Sequence, residues 1–115
     1  MLEVRIRKDS QQRLSSFLAT GHVDLAESGQ DVVCAAISAI LQAAWFGLKE
    51  VAKVEVQGNS KSGWLDLRWP AAVRDDPAVR AIVATAALSV ERIAAQYPDH
   101  VRIIHEQATG ETGRG

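Results

Sequence analysis

The most constraining feature of this chain is a change of hydrophobic period along its length. Leu2-Glu3-Val4-Arg5-Ile6-Arg7 alternates apolar and charged side chains, the period of a strand with one wet face. From Asp31 the apolar residues Val33, Ile37, Leu41, Ala44 and Leu48 recur at steps of three and four, which places them on one side of a helix. A chain that switches between these periods must cover a sheet with helices.

The remaining elements follow the same logic. Lys8 to Gln12 is polar and reads as a turn, and Arg13 to Thr20 as a second strand closing a hairpin with the first. Gly21 to Gln30 is long for a connection in a small domain, a length often associated with function. Ser28 and Asp31 resemble a capping box, with Asp31 an alternative N-cap, and Gly47 or its successors end the first helix. Lys53 to Gln57, a turn from Gly58 to Gly63, and Trp64 to Trp69 predict a second hairpin stopped by Pro70. Asp75 and Asp76 before Pro77 open a second helix. Its stripe of Val79, Ile82, Val83, Ala86, Ala87, Val90, Ile93 and Ala94 runs on to Gln96. Tyr97-Pro98-Asp99 breaks it, and Val101 to Ile104 makes a last short strand. The order ββ-α-ββ-α-β predicts an α/β chain of the α+β type, a two-layer sandwich with two helices packed on a mixed sheet.

Composition bounds the function. A length of 115 residues fits a single domain, expected over 1–108, followed by a disordered glycine-containing tail over 109–115. With 47% hydrophobic and 23% charged residues the body of the chain is globular. A net charge of −1 argues against nucleic acid as a direct partner, and Arg5, Arg7 and Lys8 split across two strand faces. No segment reads as the roughly 20 apolar residues that span a bilayer, and the N-terminus lacks the apolar stretch of a signal peptide. The single cysteine, Cys34, cannot close an internal disulfide, so the chain is read as cytoplasmic with no membrane partner. One thiol and three histidines without ligand spacing exclude a structural zinc site, and the glycines form no phosphate loop. No cofactor or metal is expected.

Cys34 is the first residue capable of chemistry. Near the start of a helix a thiol feels the positive end of the dipole, which favours the reactive thiolate. The competing reading is a small buried hydrophobe between Val33 and Ala35. His22 lies twelve residues upstream, where strand gives way to loop, and the loop can return imidazole to thiol. A base within reach of a nucleophile is what covalent catalysis requires; the alternative for His22 is a solvated loop residue. Asp31 can orient His22 or cap the helix, and Asp24 and Glu27 are further possible orienters. Ser38, one turn after Cys34, either serves the site or bonds back to a helix carbonyl. Backbone N–H groups at the helix start can supply an oxyanion hole. His100 and His105 flank the last strand and read as surface residues. Trp64 and Trp69 point to opposite faces, one into the core and one outward, and an exposed Trp suggests an interface.

Gly21-His22 followed by Gly29-Gln30-Asp31-Val32-Val33-Cys34-Ala35-Ala36-Ile37-Ser38 resembles the ribosomal-processing cysteine protease family, Prp. The likeness continues through Leu41-Gln42, Gly47-Leu48 and Gln96 to Ile103. It implies a small bacterial homodimer with a Cys–His dyad. Such an enzyme removes the N-terminal extension of a large-subunit ribosomal protein, typically after an aromatic residue. By position Cys34 matches the nucleophile and His22 the base, and residues 23–30 match a loop that orders over substrate. Gly21, Asp31 and Ser38 match recurring positions. Val23 is larger than usual after the histidine, and Trp45-Phe46 is bulkier than usual. The reading is a cysteine endopeptidase of ribosome maturation. Its alternatives are a non-catalytic ribosome-assembly or peptide-binding module of the same fold, and a dimeric scaffold with a merely buried Cys34.

Overall fold

The computed structural model describes residues 1–21 and 30–108, the side chains of residues 30 and 31 excepted. The expected tail over 109–115 therefore lies outside the described residues. The elements are β1 (Leu2–Lys8), β2 (Leu14–Thr20), α1 (Gln30–Phe46), β3 (Gln57–Lys61), β4 (Trp64–Arg68), α2 (Pro77–Gln96) and β5 (Val101–Gln107). The strands form one sheet in the order β3-β4-β2-β1-β5, antiparallel except for the parallel β1–β5 pair. Two helices on a five-stranded mixed sheet is the layout expected from the change of period.

Alternation decides which face is covered. Leu2, Val4 and Ile6 of β1, Phe17 and Ala19 of β2, and Leu65 and Leu67 of β4 are buried on the helix side. They meet Val33, Ile37, Leu41, Ala44 and Leu48 from α1 and Val79, Val83, Ala86, Ala87 and Val90 from α2. Glu3, Arg5, Arg7 and Glu106 occupy the other face. There Arg7 Nε lies 2.8 Å from Glu106 Oε1 and Arg5 Nη1 lies 3.2 Å from Glu3 Oε1. These half-exposed pairs contribute at most about 1 kcal/mol each. Trp69 is fully buried, edge-on to Phe17 at 5.1 Å between ring centroids, while Trp64 is 37% exposed. The expected division between the two tryptophans is observed.

Helix α2 begins as its sequence predicts, with Asp76 accepting from the Ala78 and Val79 amides at 2.8 and 3.3 Å and Pro77 in the first turn. Helix α1 starts at Gln30, one residue before the expected Asp31, and Ser28 lies outside the described residues. Its far end falls where expected, at Gly47 and its successors: the α-helix ends at Phe46 and the chain winds on through a π turn, Gly47–Val51, that keeps Leu48 in the core. Val32–Val51 is consequently long and apolar enough to cross a bilayer by length and composition, contrary to the expectation of no such segment. One side of it is core: Val33, Ile37, Leu41, Ala44 and Leu48 pack under the sheet.

The second hairpin is displaced from its expected place. Lys53 takes a left-handed φ of 59°, and Val54 and Val56 pack against the core without joining the sheet. The strand is Gln57–Lys61, paired Lys61↔Trp64 across a Ser62-Gly63 turn in which Gly63 has φ 73°. All five residues of this edge strand are exposed, so no apolar alternation announces it. Gly58, expected in the turn, pairs with Leu67 and lies under the Trp45 ring. β2 starts at Leu14 rather than Arg13, next to a register shift at Arg7/Lys8, and β5 runs three residues past Ile104.

Candidate active site

Cys34 sits in the second turn of α1, half-buried, with its side chain against the core. It opens into a cavity of about 430 Å³. Leu2, Ala19, Ile37, Leu41 and Leu65 provide apolar wall, and Ser60 to Trp64, the tip of the β3–β4 hairpin, closes one side. Ser38 and Gly21 also line it. The site is thus held by four strands' ends and one helix, and the hairpin's position depends on its two-residue Ser62-Gly63 turn, shorter than the expected turn from Gly58 to Gly63. Lys61-Ser62-Gly63-Trp64 was the signal available for it: a serine-glycine pair between residues able to face each other.

Gly21 is fixed by geometry. Its φ is +127°, its N–H donates to Gly63 O at 3.1 Å, and an added Cβ would collide with the Met1 carbonyl. This backbone conformation favours glycine, and it ties the end of β2 to the hairpin tip at the mouth of the cavity. The next residue is His22. His22, Asp24 and Glu27 lie outside the described residues, as does the side chain of Asp31, whose backbone belongs to the first turn of α1.

Ser38 departs from the default expected of a helical serine. Its Oγ accepts from Gln42 Nε2 at 2.8 Å, whereas Ser89 in α2 donates back to Thr85 O at 2.7 Å. His105 is exposed, as expected for a surface residue. His100 is half-buried and belongs to the cavity's end of the sheet, its carbonyl accepting from Leu2 N at 3.0 Å. Among the described residues no group of three or more His, Cys, Asp or Glu side chains is arranged to hold a metal.

The other charged cluster lies away from Cys34. Asp9 is 4% exposed and accepts from the amides of Gln11 and Arg13 and from the Arg13 and Arg74 guanidiniums. Burial pushes its carboxyl up, but the bonds from the Arg13 amide, Arg74, the Gln11 amide and the Arg13 side chain outweigh that and hold it below its usual value. Arg74 also donates Nε and Nη2 to Trp69 O at 3.1 and 2.7 Å. This network knots the β1–β2 turn to the chain after β4, and nothing in the local sequence announced it.

The family model described as Cysteine protease Prp matches residues 1–102. The chain belongs to this family. Two ribosomal-processing cysteine proteases Prp are among its relatives. That of Mycoplasma genitalium is 36% identical over 95 residues, 79% of this chain and 87% of the relative. That of Bacillus subtilis is 27% identical over 107 residues, 90% and 96% of the two chains. Two solved structures share the fold. Prp from S. aureus in complex with a substrate peptide has a TM-score of 0.81 at 22% identity, covering 91% of this chain and 99% of that one. SMU.848 from Streptococcus mutans has a TM-score of 0.78 at 22% identity, covering 94% and 96%. The Prp membership extends over both hairpins and both helices, so the architecture around Cys34 is the family's.

Proposed function

We propose that this Prp-family chain is a thiol endopeptidase in which Cys34 is the nucleophile and His22 the proton acceptor and donor. The observation that carries the reading is the half-buried Cys34 thiol opening into a cavity at the end of the sheet where Gly21 leads into His22. His22 takes the thiol proton and Cys34 Sγ attacks the scissile carbonyl. Collapse of the tetrahedral species breaks the C–N bond, the amine leaves with the proton from His22, and a thioester remains. Water, deprotonated by His22, then attacks the thioester; the carboxylic acid product departs and the thiol is restored. Backbone N–H groups at the start of α1 serve the oxyanion, and Asp31 orients His22 or caps the helix.

The substrate is the N-terminal extension of a large-subunit ribosomal protein, a reading supported by the similarity to ribosomal processing cysteine proteases. An extended peptide fits a cavity whose wall is apolar and whose rim is a strand edge. The protein acts in the cytoplasm, and residues 1–108 form its single domain. We assign a homodimer to it on the exposed apolar residues Val32, Phe46, Val51 and Leu88 of the helical layer, which analytical ultracentrifugation tests.

The deciding experiment incubates purified protein with peptides spanning the N-termini of the source organism's large-subunit ribosomal proteins and follows cleavage by mass spectrometry. Cleavage that disappears in Cys34→Ala and in His22→Ala, with unchanged melting temperature, is expected. Cleavage retained by Cys34→Ala overturns the assignment. Binding without cleavage by the wild type would favour a peptide-binding module.

A further inference from the structure

Gln42 lies two turns past Cys34 on α1 and is absent from the cavity wall, yet its amide is committed to a residue that lines it. Nε2 of Gln42 donates to Ser38 Oγ at 2.8 Å, and Ser38 stands one turn after Cys34. An amide nitrogen only donates, so this bond occupies an acceptor position of the hydroxyl. The proton of Ser38 must then point elsewhere. The usual destination for a helical serine is the carbonyl four residues back, here that of Cys34, the bond Ser89 makes to Thr85 in α2. Gln42 lies outside the cavity wall and Ser38 lines it together with Cys34, so the side of Oγ away from the Gln42 amide faces that cavity.

We propose that Gln42 is a positioning residue that acts through Ser38: by donating to Oγ it turns the Ser38 proton toward the cavity, where it donates to the Cys34 thiolate. A hydroxyl donor favours the charged sulfur over the neutral thiol and so increases the reactive fraction near neutrality. This rests on the reading of Cys34 as nucleophile. The charged group lining the cavity from the other elements among the described residues is Lys61, on β3; β1, β2 and β4 contribute Leu2, Ala19, Trp64 and Leu65.

The discriminating change is Gln42→Glu, which keeps size and shape and reverses the bond, because a carboxylate accepts the Ser38 proton. The rate of iodoacetamide alkylation of Cys34 is measured against pH in wild type, Gln42→Glu, Gln42→Met, Ser38→Ala and the Gln42→Glu/Ser38→Ala double variant, each checked by thermal melt. The thiol pKa rises in Gln42→Glu and in Ser38→Ala, with alkylation at pH 7 falling about three- to tenfold, the net size of one ordinary hydrogen bond. Gln42→Met moves in the same direction by less. The double variant matches Ser38→Ala, because the two changes remove one interaction. A Gln42→Glu profile superimposable on wild type overturns the proposal. So does an equal shift from Gln42→Glu in the Ser38→Ala background, which would assign it to the added charge through space. Alkylation needs no peptide, so a failure of wild-type cleavage would sink the protease reading and leave this comparison decisive on its own terms.

Discussion

Arg74 reaches across 65 residues of sequence to donate Nη1 to Asp9 Oδ2 at 3.1 Å, with side chains only 3% and 5% exposed. The same guanidinium holds the Trp69 carbonyl with its other nitrogens. Removing it by Arg74→Met leaves a carboxylate and a carbonyl buried without that partner. Urea unfolding should show a loss of about 2–4 kcal/mol, the range for a broken buried pair. Arg74→Lys should recover little, since a single ammonium cannot reproduce the fork.

Asp9 also sets an acid limit to stability. Its folded-state carboxyl is below the ordinary value, so its contribution is fully present above the unfolded value of about 3.9 and is lost as pH falls through the folded value. Urea midpoints of the wild type should therefore fall steeply below about pH 4. Asp9→Asn should start less stable near neutrality and show a flatter acid limb. A parallel decline in both proteins would place the acid sensitivity elsewhere.

Gly58 and Trp45 form a fitted pair. A Cβ at position 58 would run into the Trp45 indole. Gly58→Ala should cost about 1–3 kcal/mol through overpacking at the β3 edge. In the Trp45→Ala background the same change should cost much less, a coupling that a double-mutant cycle measures from four melts.

Gly21→Ala tests the mouth of the cavity. Added strain at φ +127° and the clash with Met1 should lower stability by about 1–3 kcal/mol. If His22 acts as proposed, kcat/KM for peptide cleavage should fall by at least about tenfold in protein that remains folded at the assay temperature, because the residue before it has moved. Activity kept at the wild-type level in folded Gly21→Ala would separate this turn from the site.

Much of the layout was legible because the covered face of the sheet and the inner faces of both helices repeat at regular periods. Val4 and Ile6, or Ile37 and Leu41, report their burial directly. The N-cap of α2 was legible for a similarly local reason, since Asp76 bonds to amides two and three residues on. The edge strand Gln57–Lys61 was not, because an exposed strand needs no apolar alternation and is placed by its turn and by pairing with β4. Ser38 illustrates the same limit within a helix: its neighbours along the chain suggest a bond back to Cys34, and the bond formed is instead from Gln42.

The sequence by itself determined the order of elements, the faces they bury and the motif around Cys34, since periodicity and a short contiguous motif are local properties. The tertiary structure alone decided the cavity beside Cys34, assembled from Leu2, Ala19, Ile37 and the hairpin tip near Gly63. It alone decided that Asp9, a turn residue by its surroundings, is buried under Arg74. Such contacts join residues far apart in the chain, and their energies depend on distances that exist only after the sheet has paired and the helices have closed over it.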